Sequence, residues 1–285
     1  MVDRALFSIK TATDFIEKCL RVCAESQESL EKIGRIELPD DCSSWKRIKI
    51  LIYLSHSIYF FKQRIEFFLK CLDSENINRD IVETVFRGLV EIYCRILFVL
   101  KSDETDVLKK IIWQDYYLIG LTNIDIRKVK EAEKIVSLNT KILESISIEL
   151  PGINVLRNSI QARLIGAKKD KAFKNLEKQY RFPGVRNTLM KYYDEKEEPP
   201  IPRYWLYRRY CELSEQIHGN FLMEYYGENP KSDYRIIAFL VILSLKFLTA
   251  ISQRTHTEED VIKLIAEFRE FAPIYLKLWR LSGHL

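Results

Sequence analysis

Glycine and proline are scarce, at 9 and 8 of 285 residues. An all-β chain turns often, and turns draw on these two residues, so their shortage argues against a β architecture. The opening stretch MVDRALFSIKTATDF has no apolar core of signal-peptide length, which argues against secretion. The six cysteines show no pairing logic and read as reduced cytosolic thiols. Long unbroken apolar runs are missing too. IIAFLVILSLKFLTAI, residues 236–251, is interrupted by Lys246, and ILIYLSHSIYFFKQRIEFFL, residues 50–69, carries His56, Lys62, Gln63, Arg64 and Glu66. Both are expected to be buried core helices of a cytoplasmic chain without a membrane partner.

Chemical motifs are equally sparse. There is no glycine-rich phosphate loop, nucleophile elbow, zinc-protease helix or EF-hand loop. Cys19 and Cys23 share a helix face, but no further ligands cluster near them, so neither a metal nor a cofactor is expected. Of four histidines, His56 is expected at the core or its boundary, His256 in a turn and His284 at a frayed end.

What is present is apolar and aromatic. Apolar residues make up 47 %, with 15 Phe and 15 Tyr, which is a globular composition. Helical periodicity dominates, and no strand pattern or internal repeat stands out. Expected helices cover 3–33, 43–72 with Ser43 or Ser44 as cap, 79–101, 105–119 and 125–150, each ended by a break such as Gly34, Gly120 or Pro151-Gly152. A basic helical region follows over 154–180, then a short helix opened by Pro183-Gly184. Residues 194–202 hold four acidic residues and three prolines and read as a linker. Helices over 204–226, 232–254 and 258–281 complete the chain, the last with Thr257 and Asp260 placed for a capping box. The class is therefore all-α: a bundle of about eight to ten helices. It forms one domain over 1–285, with a helical pair over 1–75 packed on the core.

One polar centre is legible. On the helix around YRRYCELSEQIHGN, Leu206, Tyr210, Leu213, Ile217 and Phe221 make an apolar stripe. Ser214 and His218 stack one turn apart beside it. A half-buried imidazole needs partners for both nitrogens, and Ser214 supplies only one. The helix TVFRGLVEIYCRILFVL offers more, because Thr84, Arg87, Glu91 and Arg95 form a single line on an otherwise apolar surface. If that line faces inward, Glu91 lies between two arginines and demands further polar partners.

These two segments resemble a large uncharacterised bacterial family of all-helical proteins, whose members share an Arg-x-x-x-Glu helix and a later Tyr-x-x-Leu-Ser-x-x-x-His-Gly helix. Arg87 and Glu91 match the first motif; Tyr210, Leu213, Ser214, His218 and Gly219 match the second. The resemblance spans residues 81–252 and implies architecture more than chemistry. The chain is also distantly similar to the HEPN superfamily (higher-eukaryote and prokaryote nucleotide-binding), which implies a HEPN-like core and, by analogy, a ribonuclease of a bacterial defence or toxin system. Its members place an Arg and a His four to six residues apart on one helix. Here Arg209 precedes His218 by nine residues, on the opposite face, so that motif is absent from this helix.

Charge is regional. Residues 157–191 hold ten Lys/Arg against two Asp/Glu, a local +8 that leaves −3 for the rest of the net +5. Arg157, Arg163, Lys168, Lys169, Lys171, Lys174, Lys178, Arg181, Arg186 and Lys191 are interleaved with Phe173, Tyr180 and Phe182. Cations neutralise phosphates and aromatics stack on unpaired bases, so RNA is one candidate partner. Against this stands the solvated face that most charge runs turn out to be. Two functional readings stay open. In one, the chain binds RNA or another phosphate-rich ligand around an interior centre of His218, Ser214, Tyr210, Arg87 and Glu91. In the other, it is a non-enzymatic module whose polar cluster fixes helix packing and whose apolar helices bury a partner or a homodimer interface.

Overall fold

The computed structural model describes residues 2–34, 42–72, 79–121, 130–146, 175, 178–197, 202–204, 206–208, 210–211 and 231–281. All regular structure among the described residues is helical. The elements with defined bounds are α1 (Val2–Gly34), α2 (Cys42–Leu72), α3 (Arg79–Lys101), α4 (Glu104–Leu121), α5 (Lys130–Ser145), α6 (Val185–Tyr192), α7 (Lys231–Thr255) and α8 (Glu258–Leu281). The described positions within 203–211 are helical as well.

The chain forms two compact units. The first comprises Met1–Lys32, Leu54–Leu100 and Gly184–Leu285, and the second Ile33–Tyr53 and Lys101–Pro183. Segment 194–202 lies within the first.

The first unit is built on α7. From residue 237 to 248 every residue is buried except the half-buried Ile242. This helix supplies the one window among the described residues, Ile237–Thr255, long and apolar enough to cross a membrane, and 72 % of it is buried inside the structure. A core helix buried all round has this composition. Aromatic pairs lock neighbours to it. Phe61 of α2 stacks on Phe247 with ring centroids 3.8 Å apart, and Phe86 of α3 meets Phe239 at 4.4 Å. On α1, Phe15 packs against Phe268 of α8.

The turn between α7 and α8 carries His256 with φ of 57°, a left-handed conformation uncommon for a residue with a side chain. Beside it, the Thr257 hydroxyl bonds to Thr255 at 2.9 Å and to Ser26 of α1 at 3.3 Å. Asp260 accepts from Lys263 at 3.0 Å. The pair expected to form a capping box thus has other partners, because a buried hydroxyl is drawn to the polar groups buried beside it.

The second unit has its own core of Leu108, Ile112, Trp113, Tyr116, Ile142, Leu143 and Tyr180. Trp113 stacks near Tyr180 at 6.0 Å, and Tyr53 stacks on Phe182 at 5.5 Å. Two of the basic region's aromatics are therefore engaged in packing.

Helix ends differ from expectation where local chemistry prevails. α2 begins at Cys42, so the two serines fall inside its first turn rather than capping it. α4 is capped by Asp103, whose carboxylate accepts the amides of Thr105 at 2.9 Å and Asp106 at 3.3 Å. Gly120 does not stop it, since the helix continues to Leu121. α5 ends at Ser145, short of the expected 150, with the Ser145 hydroxyl donating to the Ile142 carbonyl. The largest correction concerns α2. It buries Leu54, Ile58, Phe61, Ile65 and Phe68, yet leaves Ile52, Tyr59, Phe60 and Phe67 exposed. His56, expected at the core or its boundary, is exposed too.

Candidate functional site

Arg87 and Glu91 are four residues apart on α3 and so share a face. One carboxylate oxygen, Glu91 Oε1, accepts from two donors: Arg87 Nε at 3.3 Å and the Tyr210 hydroxyl at 3.0 Å. The Arg87 guanidinium carbon lies 5.5 Å from the centre of the Tyr210 ring, within cation–π range. The side chains of Arg87 and Glu91 are 26 % and 35 % exposed, so the line stands at a border, neither solvated nor interior. Thr84 at one end is exposed, and Arg95 is half-buried. Burial, then the Glu91 charge and its hydrogen bond, push the Tyr210 phenol above its ordinary range.

A third arginine joins from α2. The Arg64 guanidinium occupies the space that a Cβ on Gly88 would fill. Only glycine leaves room there, so the absence of a side chain beside Arg87 is what lets Arg64 lie across α3. Arg64, Arg87, Glu91 and Tyr210 therefore set two guanidiniums, one carboxylate and one phenol against a single stretch of α3. Ser214, His218 and Gly219 lie outside the described residues, as do Arg157, Arg163, Lys168, Lys169, Lys171 and Lys174.

Because the pair is part-exposed, solvent screens it and the trio contributes modestly. Glu91→Ala is expected to cost about 1 kcal/mol in urea denaturation. Tyr210→Phe should cost less, and the double variant should show coupling. Additive effects would mean that the hydrogen bond across the two elements contributes nothing.

The described rest of the basic region faces solvent. Lys178, Arg181, Arg186 and Lys191 are all exposed. In the first unit, α6 and the 203–211 segment meet: the Arg203 guanidinium donates to the Tyr193 carbonyl at 3.1 Å, and Arg186 lies close enough to act on Tyr207. A hydrogen bond with Cys211 raises the Tyr207 phenol, and the Arg186 charge opposes it. Tyr204 is 72 % exposed, and Arg208 is exposed beside it.

Two polar centres went unread in the sequence. Lys246, only 1 % exposed, donates to the backbone carbonyls of Asp194 and Glu197, and its ammonium sits 5.0 Å from the centre of the Tyr193 ring. It fastens the described part of the acidic segment to the core. Around it, burial and the Glu197 charge raise the phenols of Tyr93 and Tyr193. In the second unit, Asp115 of α4 accepts from Lys49 of α2 and, at 2.9 Å, from the buried Asn139 amide of α5. The signal available was a lone lysine in an apolar run, which marks a break in a span but not its partners.

Cys19, Cys23 and Cys94 are buried free thiols; burial pushes Cys23 up to about 12, far from the reactive thiolate. Among the described residues, no group of three or more His, Cys, Asp or Glu is placed to hold a metal ion. Set against known families, curated proteins and solved structures, the chain matches none.

Proposed function

We propose that the chain is a cytoplasmic helical protein that binds a phosphate-rich ligand, single-stranded RNA foremost. The observation that carries this reading is the surface where α6 meets the 203–211 segment. Arg186 and Lys191 of α6 and Arg208 of the 203–211 segment are exposed cations, Arg186 lies close enough to act on Tyr207, and the Tyr204 ring is exposed. Cations along a groove neutralise a backbone, and an exposed ring offers a stacking platform to an unpaired base. Lys178 and Arg181 of the second unit are exposed cations as well.

The Arg87–Glu91–Tyr210 trio supports binding better than cleavage. Glu91 is engaged by two donors through one oxygen, so it acts as an anchor between α3 and the 203–211 segment rather than as a general base. Ribonuclease action in a bacterial defence or toxin system rests on the HEPN resemblance alone.

The test is fluorescence anisotropy with a labelled single-stranded RNA across a salt series. Arg186→Ala with Lys191→Ala should weaken binding and flatten the salt slope by about 0.7 for each phosphate of the single strand no longer neutralised. Tyr204→Ala should weaken it about tenfold, the loss of one stacked base. Absence of salt-dependent binding, or indifference to all three substitutions, would refute the reading. Cleavage is read on the same RNA with His218→Ala and Arg87→Ala, melting temperature being measured alongside. Loss of cleavage at unchanged melting would add catalysis to binding.

A further inference from the structure

We infer that Arg64 and Arg87 together bind a phosphate group on the surface of α3, at a site separate from the cations of α6. Arg64 carries the argument. Its half-buried guanidinium lies across α3 at Gly88, and among the described residues no carboxylate pairs with it. Glu91 is taken by Arg87 and Tyr210, and Glu66, two residues further along α2, accepts from Gln63. A charge partly withdrawn from water is ordinarily matched by one of opposite sign. Here the described residues supply no match for Arg64.

The helix brings the second cation to the same place. At 100° per residue, Arg87, Glu91, Thr84, Arg95 and Gly88 fall within about 100° of the circumference of α3, with Arg87 and Gly88 at the two edges. All of them, with Arg64 and Tyr210, belong to the first unit. Two guanidiniums and one carboxylate leave an excess positive charge. Arg95, half-buried one turn past Glu91, adds to it. Toward the helix start the same arc holds the short, exposed Thr84, and Arg87 and Glu91 are themselves part-exposed. A solute can therefore reach the cations from water.

The shape of the donors sets the class of ligand. A guanidinium offers its N–H groups as a planar fork. A carboxylate presents one edge and fills one fork. A phosphate carries oxygens on several sides and can accept from two guanidiniums at once.

Phosphorus NMR of inorganic phosphate with the full chain tests this without RNA. The wild-type chain is expected to broaden the phosphate line as protein is added. Arg64→Met keeps the stem and removes the charge. It should weaken binding about tenfold or more, the loss of one charge-assisted pair. Gly88→Ala keeps every charge. Its Cβ meets the Arg64 guanidinium, the far end of a flexible side chain, and displaces it from α3. Alanine suits a helix better than glycine, so the melting temperature should hold while phosphate binding falls as in Arg64→Met. Arg186→Ala with Lys191→Ala should bind phosphate as the wild type does. The RNA anisotropy series then identifies the source. A backbone phosphate is held if Gly88→Ala weakens RNA binding and RNA competes with inorganic phosphate. Free phosphate or a small phosphate ester is held if RNA binding is unchanged. An unbroadened line with the wild-type chain, full phosphate binding by Arg64→Met or Gly88→Ala, or its loss in the α6 double variant overturns the inference.

Discussion

Lys246→Ala is expected to lower stability by about 4 kcal/mol, within the range for truncating a large buried side chain, and to expose residues 194–197 to proteolysis. Two losses combine. The first is volume: Lys246 sits in α7 with 1 % of its surface exposed, so removing its stem leaves a cavity beside the Tyr193 ring. The second is polar. Its ammonium is the donor for the Asp194 and Glu197 carbonyls and lies against the Tyr193 ring. Lys246→Met separates the two, because it keeps the volume and removes the donor. Asp194 is exposed, so its carbonyl can recover water, and the methionine variant should lose only about 1–2 kcal/mol. A methionine variant as stable as the wild type would show that desolvating the ammonium costs as much as its bonds return, as happens for some buried charges. Urea denaturation and limited proteolysis give both readings. An alanine variant within about 1 kcal/mol of the wild type, on the scale of an ordinary surface change, would sink the claim that Lys246 fastens this segment.

Asp115→Ala is expected to cost about 3 kcal/mol in the second unit, the lower end for breaking a buried charge pair. Asp115 itself is 25 % exposed, which limits its own contribution, but its partners are not so placed: the Lys49 side chain is 9 % exposed. Asn139 is fully buried, and its amide oxygen already has no partner in the structure. Removing the carboxylate strands an ammonium and an amide together. Hydrogen exchange should show α4 and α5 opening more readily while the first unit's α7 keeps its protection. Adding Lys49→Met to Asp115→Ala should recover part of the loss, because it removes the stranded charge. A double variant that loses the sum of the two single effects would mean that the ion pair carries no coupling.

Legibility in the sequence followed the range of the interaction involved. Arg87 and Glu91 were readable as a pair because four residues on a helix are always one turn apart. That Tyr210 would meet Glu91 was not: the sequence placed Tyr210 on the apolar stripe and asked only for some further polar partner, and the structure brings the two to 3.0 Å. The third guanidinium was not readable. Arg64 reaches α3 only because Gly88 offers no side chain, and Gly88 carries no local mark of that role. Lys49, Asp115 and Asn139 come from three helices spread widely along the chain, and no periodicity links residues so far apart.

By itself the sequence determined the all-α class, the buried α7 and the spacing of the polar line on α3, because all three depend on a 3.6-residue repeat or on apolar content along one segment. The tertiary structure alone decided which side of the apolar α2 stays uncovered, that Lys246 turns inward to two carbonyls, and that the chain divides into two units. The physical reason is that a helix's own pattern states which faces are apolar, whereas the neighbour that covers each face is set by packing among segments distant along the chain.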